Sequence, residues 1–354
     1  MYAEMIGALS NFMYGYLLII MLLFTGLYYT FRTGFVQLRM LRETIRVILE
    51  KPVGEEAVSS FHALMVSTAS RVGTGNIIGI STAICFGGYG AVFWMWVIAV
   101  IGGASAFIES TLAQIYKKRG EHGSYGGPAY YIEAALNSRP LAVVFAAALI
   151  MTYGVGFNML CAYNLQSTFA AYSFYVPETT PWVIGAVLAV LVGYCLLGGA
   201  RRVIKATSTL VPLMGLIYIA VAFILTVMHI DLVPGIIGKI FSEAFDFQTI
   251  FAGFAGSCVM YGVKRGLYSN EAGVGSAPNA AASADVSHPV KQGLVQMLSV
   301  FIDTLLICTA TAFMCMSSGI EPTPELAGAP YVQAALAVSL GEYAKTFITV
   351  SMVL

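Results

Sequence analysis

The sequence predicts an all-α polytopic membrane protein. Three observations carry that reading. Of 354 residues, 58% are hydrophobic and only 10% charged, where a soluble domain carries about 25% charged residues. Mean hydropathy is +0.80. Apolar runs long enough to cross a roughly 30 Å hydrocarbon core recur along the chain. Formal net charge is zero, so no basic face points to nucleic acid and no acidic tail to a soluble partner. The six cysteines (Cys85, Cys161, Cys195, Cys258, Cys308, Cys315) sit in apolar runs without paired spacing. They read as small buried hydrophobes, not as a disulfide or zinc framework. No basic region or small-residue cleavage site precedes the first apolar run, so that span is expected to be retained.

The elements follow in order. A first span covers about residues 11–31, and Arg32, Arg39, Arg42, Arg46 and Lys51 then alternate with apolar residues in an amphipathic interfacial segment. Spans are expected at about 61–86, 91–116, 141–172, 182–197, 210–228, 247–263 and 290–315. Residues 124–136 are too polar to cross and read as a surface helix; 236–245 reads as a short amphipathic helix in an outer loop. A weakly apolar helix is expected at 331–340, and a final run begins near 343. Eight spans and a stump result. Of the eighteen Lys and Arg, sixteen fall on one side of this arrangement, with Lys239 and Lys345 on the other. The positive-inside rule makes the rich side cytoplasmic and places the N-terminus outside a cell membrane.

One stretch organises the rest: Ser67-Thr68-Ala69-Ser70-Arg71-Val72-Gly73-Thr74-Gly75-Asn76-Ile77-Ile78-Gly79, inside the second apolar run. A lipid-facing helix has no use for paired glycines, hydroxyls, an asparagine and an arginine together. Irregular backbone is tolerated in hydrocarbon only where protein or a water-filled cavity surrounds it. Gly73 and Gly75 therefore read as an unwinding point whose freed carbonyls and amides can bind an ion and a small zwitterion. Close packing through small residues would explain the glycines, but not Arg71, Thr74 and Asn76 beside them. Residues 251–262 (FAGFAGSCVMYG) form a second span interrupted by Gly253, Gly256, Ser257 and Gly262. It is expected to run in the opposite direction, with four spans between the two. Two such broken helices mark inverted five-helix repeats with a site at the bilayer midplane.

Six motifs then carry a resemblance. SRVGTGNIIGI (70–80), GAVFWMWV (90–97), ESTLAQIYK (109–117), GGPAYYI (126–132), RGLYSNEAGVGSAPNAAA (265–282) and FIDTLLICT (301–309) closely resemble the alanine or glycine:cation symporter family. The resemblance covers nearly the whole chain from about residue 61. It implies a LeuT-like 5+5 inverted repeat with one extra N-terminal helix, and sodium-driven uptake of a small neutral amino acid by alternating access. The chain divides accordingly into 1–60 (extra helix and cytoplasmic segment), 61–232 (first repeat) and 233–354 (an incomplete second repeat). Three departures accompany the resemblance. Cys161 stands where the family often has a glutamine, the glycines of core helix six sit about one turn closer together, and the chain stops before a Phe-Ala-Phe-Ser stretch of core helix eight. The first repeat spans roughly 170 residues and the second only about 108, so a C-terminally truncated transporter is expected.

By resemblance, the Ala69, Val72 and Arg71 carbonyls and Asn76 face sodium, a hard ion suited to oxygen ligands. Thr74 and Gly75 offer amides to a substrate carboxylate at a half-helix N-terminus, with Cys161, Gly256 and Ser257 completing the substrate site. Asp303, with Thr304 beside it, lies mid-span, where a charge is costly and by default functional. It is a candidate to balance sodium. Arg71 and Glu109 could neutralise each other as a gate pair, and 269–273 reads as a cytoplasmic gate or cap. No organic cofactor is expected, and no protein partner beyond lipid and substrate is evident. A membrane enzyme is disfavoured because no Ser/Lys pair or metal set converges. A dinucleotide-binding enzyme fails because no βαβ unit surrounds Gly73-x-Gly75. A sodium symporter for another small solute and a non-transporting, truncated membrane fragment stay open.

Overall fold

Small residues line the middle of one long helix, and they decide what packs there. A computed structural model describes residues 2–50, 59–120, 123–246, 250 and 257–354. Its central helix, Gly90–Ile115, runs 26 residues. Gly102, Gly103, Ala104 and Ala106 let neighbours approach closely, as bilayer packing requires where lipid gives no hydrophobic push. Helices Leu18–Arg32, Cys258–Asn270 and Pro289–Phe301 all lie against it. Among the described residues, six helices are long and apolar enough to cross a membrane: Glu4–Arg32, Gly90–Ile115, Arg139–Ala171, Thr180–Leu197, Arg201–Met228 and Pro289–Met316. This is a multi-pass membrane architecture, with a buried centre and an outer ring. Thr180–Leu197 buries nothing in its apolar window, and Leu197 is 92% exposed. Such a surface belongs in lipid.

Several sequence expectations need correction. The surface helix is confined to Pro128–Leu136, and a two-stranded hairpin, Lys118–Gly120 with Gly123–Tyr125, precedes it. The amphipathic helix runs Val233–Ala244, burying Ile236, Ile240 and Ala244 at a four-residue spacing. Its Glu243 carboxylate accepts the amides of Tyr89 (2.6 Å) and Gly90 (3.2 Å), satisfying orphan donors where the central helix begins. Helix Ala329–Leu340 is no loop feature: Tyr331, Val332 and Leu336 are in the main core. Gly253, Gly256 and Lys51 lie outside the described residues.

The largest correction concerns the span expected at 247–263. Helix Cys258–Asn270 runs alongside the central helix in the same direction. A Cβ built on Gly266 would meet Ile98 Cγ2 at 2.5 Å, and one on Gly102 would meet Ala272 Cβ at 2.9 Å. Further along, Gln114 Nε2 donates to the carbonyls of Ala281 and Ala284. Residues 257–284 therefore accompany the central helix for its whole length, as two half-helices, Cys258–Asn270 and Ala277–Ser283. The interruption at 271–276 is level with the middle of the central helix, not in a loop. Lys264 and Arg265 consequently lie within this crossing rather than at its end, which removes two cations from the expected basic side. The first interrupted helix runs the other way: Ser60–Arg71, a break, then Gly75–Gly87. Its far end, Gly87, meets Tyr261 and Cys258.

This packing makes a prediction. Gly266→Val forces a branched side chain onto Ile98 and should cost about 1–3 kcal/mol, seen as a lower melting temperature in detergent. Gly215→Ala, where a Cβ meets nothing within 4 Å, should leave it unchanged or raised.

Candidate functional site

The first break begins where the helical ladder runs out of donors. Val72 N–H reaches Thr68 O at 2.7 Å, but the next amide, Gly73, turns to the Asn76 side-chain oxygen at 2.8 Å. The Ala69 carbonyl thereby loses its helical partner. Val72 is extended (φ −79°, ψ 117°), and the chain resumes as a π-helical turn at Gly75–Gly79, a form common at functional sites.

The second break is built with the same spacing. Helix Cys258–Asn270 ends at Glu271 in the left-handed region (φ 51°), and Gly273 and Gly275 follow at φ +83° and +89°, a conformation glycine adopts without strain. Glu109 accepts the amides of Gly273 (3.2 Å) and Gly275 (3.1 Å), and Asn270 Oδ1 accepts Ala272 N–H. Arg71-x-Gly73-x-Gly75 and Glu271-x-Gly273-x-Gly275 are one pattern written twice with opposite charge. That repetition was the available signal for the second break; the apolar glycine run at 251–262 masked it. The expected Arg71–Glu109 contact does not form, because both Glu109 oxygens hold backbone. Arg71, 3% exposed, donates from Nη1 to Gln296 O at 3.4 Å, and among the described residues no ion pair joins it to a carboxylate.

The two interrupted helices touch at Gly75. A Cβ there would sit 3.1 Å from Ser269 Cα. Beside this contact lies a fully buried polar cluster around Asp303. Asn76 Nδ2 donates to Asp303 Oδ1 (2.7 Å) and lies 3.2 Å from Ser269 Oγ. Ser269 Oγ and Thr304 Oγ1 each donate to Asp303 Oδ2 at 2.9 Å. Asn76, Asp303 and Thr304 thus come together, and Ser269, read from sequence as part of a cap, joins them. Asn76 presents its nitrogen here, since its oxygen holds Gly73. The oxygens able to hold a hard cation are those of Asp303, Ser269 and Thr304.

Next to the cluster a cavity of about 450 Å³ is lined by Ala69, Val72, Thr74, Gly75, Cys161 and Tyr268, among others. Thr74 Oγ1 is 3.4 Å from the Tyr268 hydroxyl and 3.8 Å from Cys161 Sγ. The Tyr268 ring stacks on Phe157 (5.4 Å), which stacks on Tyr153 (4.8 Å). Ser257 is elsewhere. It accepts Met260 N–H as the cap of its own helix, near Gly87. Tyr268 and Ser269 take the place that was expected of Ser257, while Gly256 lies outside the described residues.

Discontinuous helices meeting at a buried, charged centre define a multi-pass membrane protein with a polar site inside its bundle. Over residues 1–354 the chain matches the sodium:alanine symporter family, and it belongs to that family. It is 43% identical to the probable sodium/glutamine symporter GlnT of Bacillus subtilis, over 99% of this chain and 73% of that protein. The amino-acid carrier protein AlsT of the same organism is 44% identical, over 99% and 74%. The sodium/alanine symporter AgcS of Methanococcus maripaludis is 36% identical, over 92% and 73%. The family consists of transporters, not enzymes.

Glu109→Ala should strand two buried amides and destabilise the protein by about 2–6 kcal/mol, at about 1–3 kcal/mol for each unsatisfied group. Thermal melting in detergent measures this, and Glu109→Gln, which keeps one acceptor, should fall between.

Proposed function

We propose that this protein imports a small neutral amino acid together with sodium by alternating access. The observation that carries the reading is the convergence of both helix interruptions on one centre: a pocket bearing Thr74, Cys161 and Tyr268, beside the Asn76–Ser269–Asp303–Thr304 cluster. Sodium is a transported substrate here, held by the Asp303 carboxylate and neighbouring hydroxyls, with the loosened Ala69 and Val72 carbonyls nearby. The Thr74 and Gly75 amides stand at a half-helix N-terminus, where the dipole favours the substrate carboxylate. Antiparallel interrupted helices support a 5+5 inverted repeat with an additional N-terminal helix, residues 61–232 and 233–354 supplying the two units. The hairpin end of the central helix, rich in Lys and Arg, is assigned to the cytoplasm.

Protein reconstituted in liposomes should accumulate labelled alanine or a related small neutral amino acid under an inward sodium gradient, and not under potassium. Asp303→Asn or Asn76→Ala should raise the half-saturating sodium concentration about tenfold, equivalent to roughly 1.4 kcal/mol. Wild-type sodium curves in both variants would contradict the cation assignment. A panel of solutes in the same assay tests the alternative of a non-amino-acid substrate.

Cys161 also makes a selectivity prediction. It is smaller than glutamine and a weaker hydrogen-bonding group, so the pocket should accept side chains somewhat larger than alanine. Cys161→Gln should narrow the uptake profile toward alanine and glycine. A wild-type profile already confined to those two, and unchanged by the substitution, would contradict it.

A further inference from the structure

A second cavity adjoins the first, and its chemistry is different. About 500 Å³ in volume, it lies between half-helix Ser60–Arg71, the π-helical region around Tyr153, and the second break. Ser70 lines both cavities, so only one residue's thickness separates them there. Val66, Leu149 and Ile150 give it apolar walls. Into it faces Glu271, 2% exposed, whose Oε2 accepts from Ser276 Oγ at 2.5 Å and from Ser70 Oγ at 3.2 Å. Each hydroxyl keeps lone pairs for a further partner.

The charges around this cavity do not balance. Glu109 and Glu271 are both buried and both feel the field of Arg71. That guanidinium forms no ion pair with either, and its Nη1 is committed to the Gln296 carbonyl. Glu109 is compensated by the two glycine amides. Glu271 is hydrogen-bonded only by hydroxyls, those of Ser70, Ser276 and Tyr153, and must share the single positive charge of Arg71 with Glu109. A carboxylate in such surroundings carries a large desolvation cost unless a cation partners it. Its left-handed backbone, fixed by the Glu109-held glycines that follow, keeps the carboxylate aimed at the cavity rather than at solvent.

We propose that this cavity is a second station for a monovalent cationic group, with the Glu271 carboxylate and the Ser70 and Ser276 hydroxyl oxygens as its ligands. Two sources present that chemistry, sodium itself and the ammonium of the amino acid, and both pass from the first cavity by way of Ser70. The station rests on the transport reading above.

The test is equilibrium binding of ²²Na⁺ and of labelled alanine to the purified protein, as wild type, Glu271→Gln and Ser276→Ala. Wild type should show two classes of site for one of the two ligands. Glu271→Gln should weaken the lower-affinity class at least tenfold while changing alanine affinity at the Thr74 pocket less than twofold. If the lost class is seen with ²²Na⁺, sodium occupies the station; if with alanine, the ammonium does. Ser276→Ala retains the charge and should weaken the same class severalfold, which decides the matter should Glu271→Gln not fold. A single class for both ligands in wild type, or isotherms unmoved by either variant, overturns the second station alone. A wild type that binds neither ligand overturns the transport reading itself.

Discussion

Everything in this molecule depends on how two stretches of non-helical backbone are satisfied inside a membrane. Hydrocarbon offers no hydrogen bonds, so each interrupted amide must find a partner within the protein or line a cavity that water or a ligand can fill. At the first break the partner is local: Asn76, three residues on, takes the Gly73 amide. At the second it is remote: Glu109, on the central helix, takes the amides of Gly273 and Gly275. The small residues in the middle of that helix follow from the same need, since a carboxylate can reach the break only if the backbones lie close.

The division of labour between side chains follows. Asn76 spends its oxygen on the break and its nitrogen on Asp303, so one residue ties the backbone interruption to the buried charge. Ser269 does the same from the other interrupted helix, meeting Gly75 with its backbone and Asp303 with its hydroxyl. A cation bound at Asp303 would therefore be felt by both interruptions at once. In the proposed function this is the physical route that would couple sodium to substrate, because a ligand shifts an equilibrium only through contacts that differ between states.

Much of this was legible in sequence. Charge scarcity and apolar runs gave the membrane class, and a glycine pair among polar residues gave the first break, because nothing else accounts for Arg71, Thr74 and Asn76 in an apolar run. Asp303 and Thr304 stood out for the same reason. The second break was misplaced because Gly253, Gly256 and Gly262 interrupt a more apolar segment, and Lys264-Arg265 resembled a cytoplasmic boundary. Glycine count misled there; the charged-x-Gly-x-Gly spacing was the better guide. The roles of Tyr268 and Glu243 had no local signature at all, since each acts on residues 150 or more positions away, and Ser269 joins Asn76, 193 positions away, to Asp303, 34 away. The Arg71–Glu109 pairing failed for a physical reason. A buried carboxylate beside two unsatisfied amides satisfies both by bonding them, and the arginine finds a carbonyl instead.

The central claim is that sodium and substrate bind at one centre made by both interruptions. Calorimetric titration of alanine into the purified protein tests it most directly, in sodium and in potassium buffer, with wild type and Ser269→Ala. The account predicts heat of binding in sodium, none in potassium, and a weaker sodium-dependent alanine affinity in the variant, because the Ser269 hydroxyl reaches Asp303 from the other interrupted helix. Alanine binding of equal strength in both buffers, or a Ser269→Ala titration identical to wild type, would contradict it.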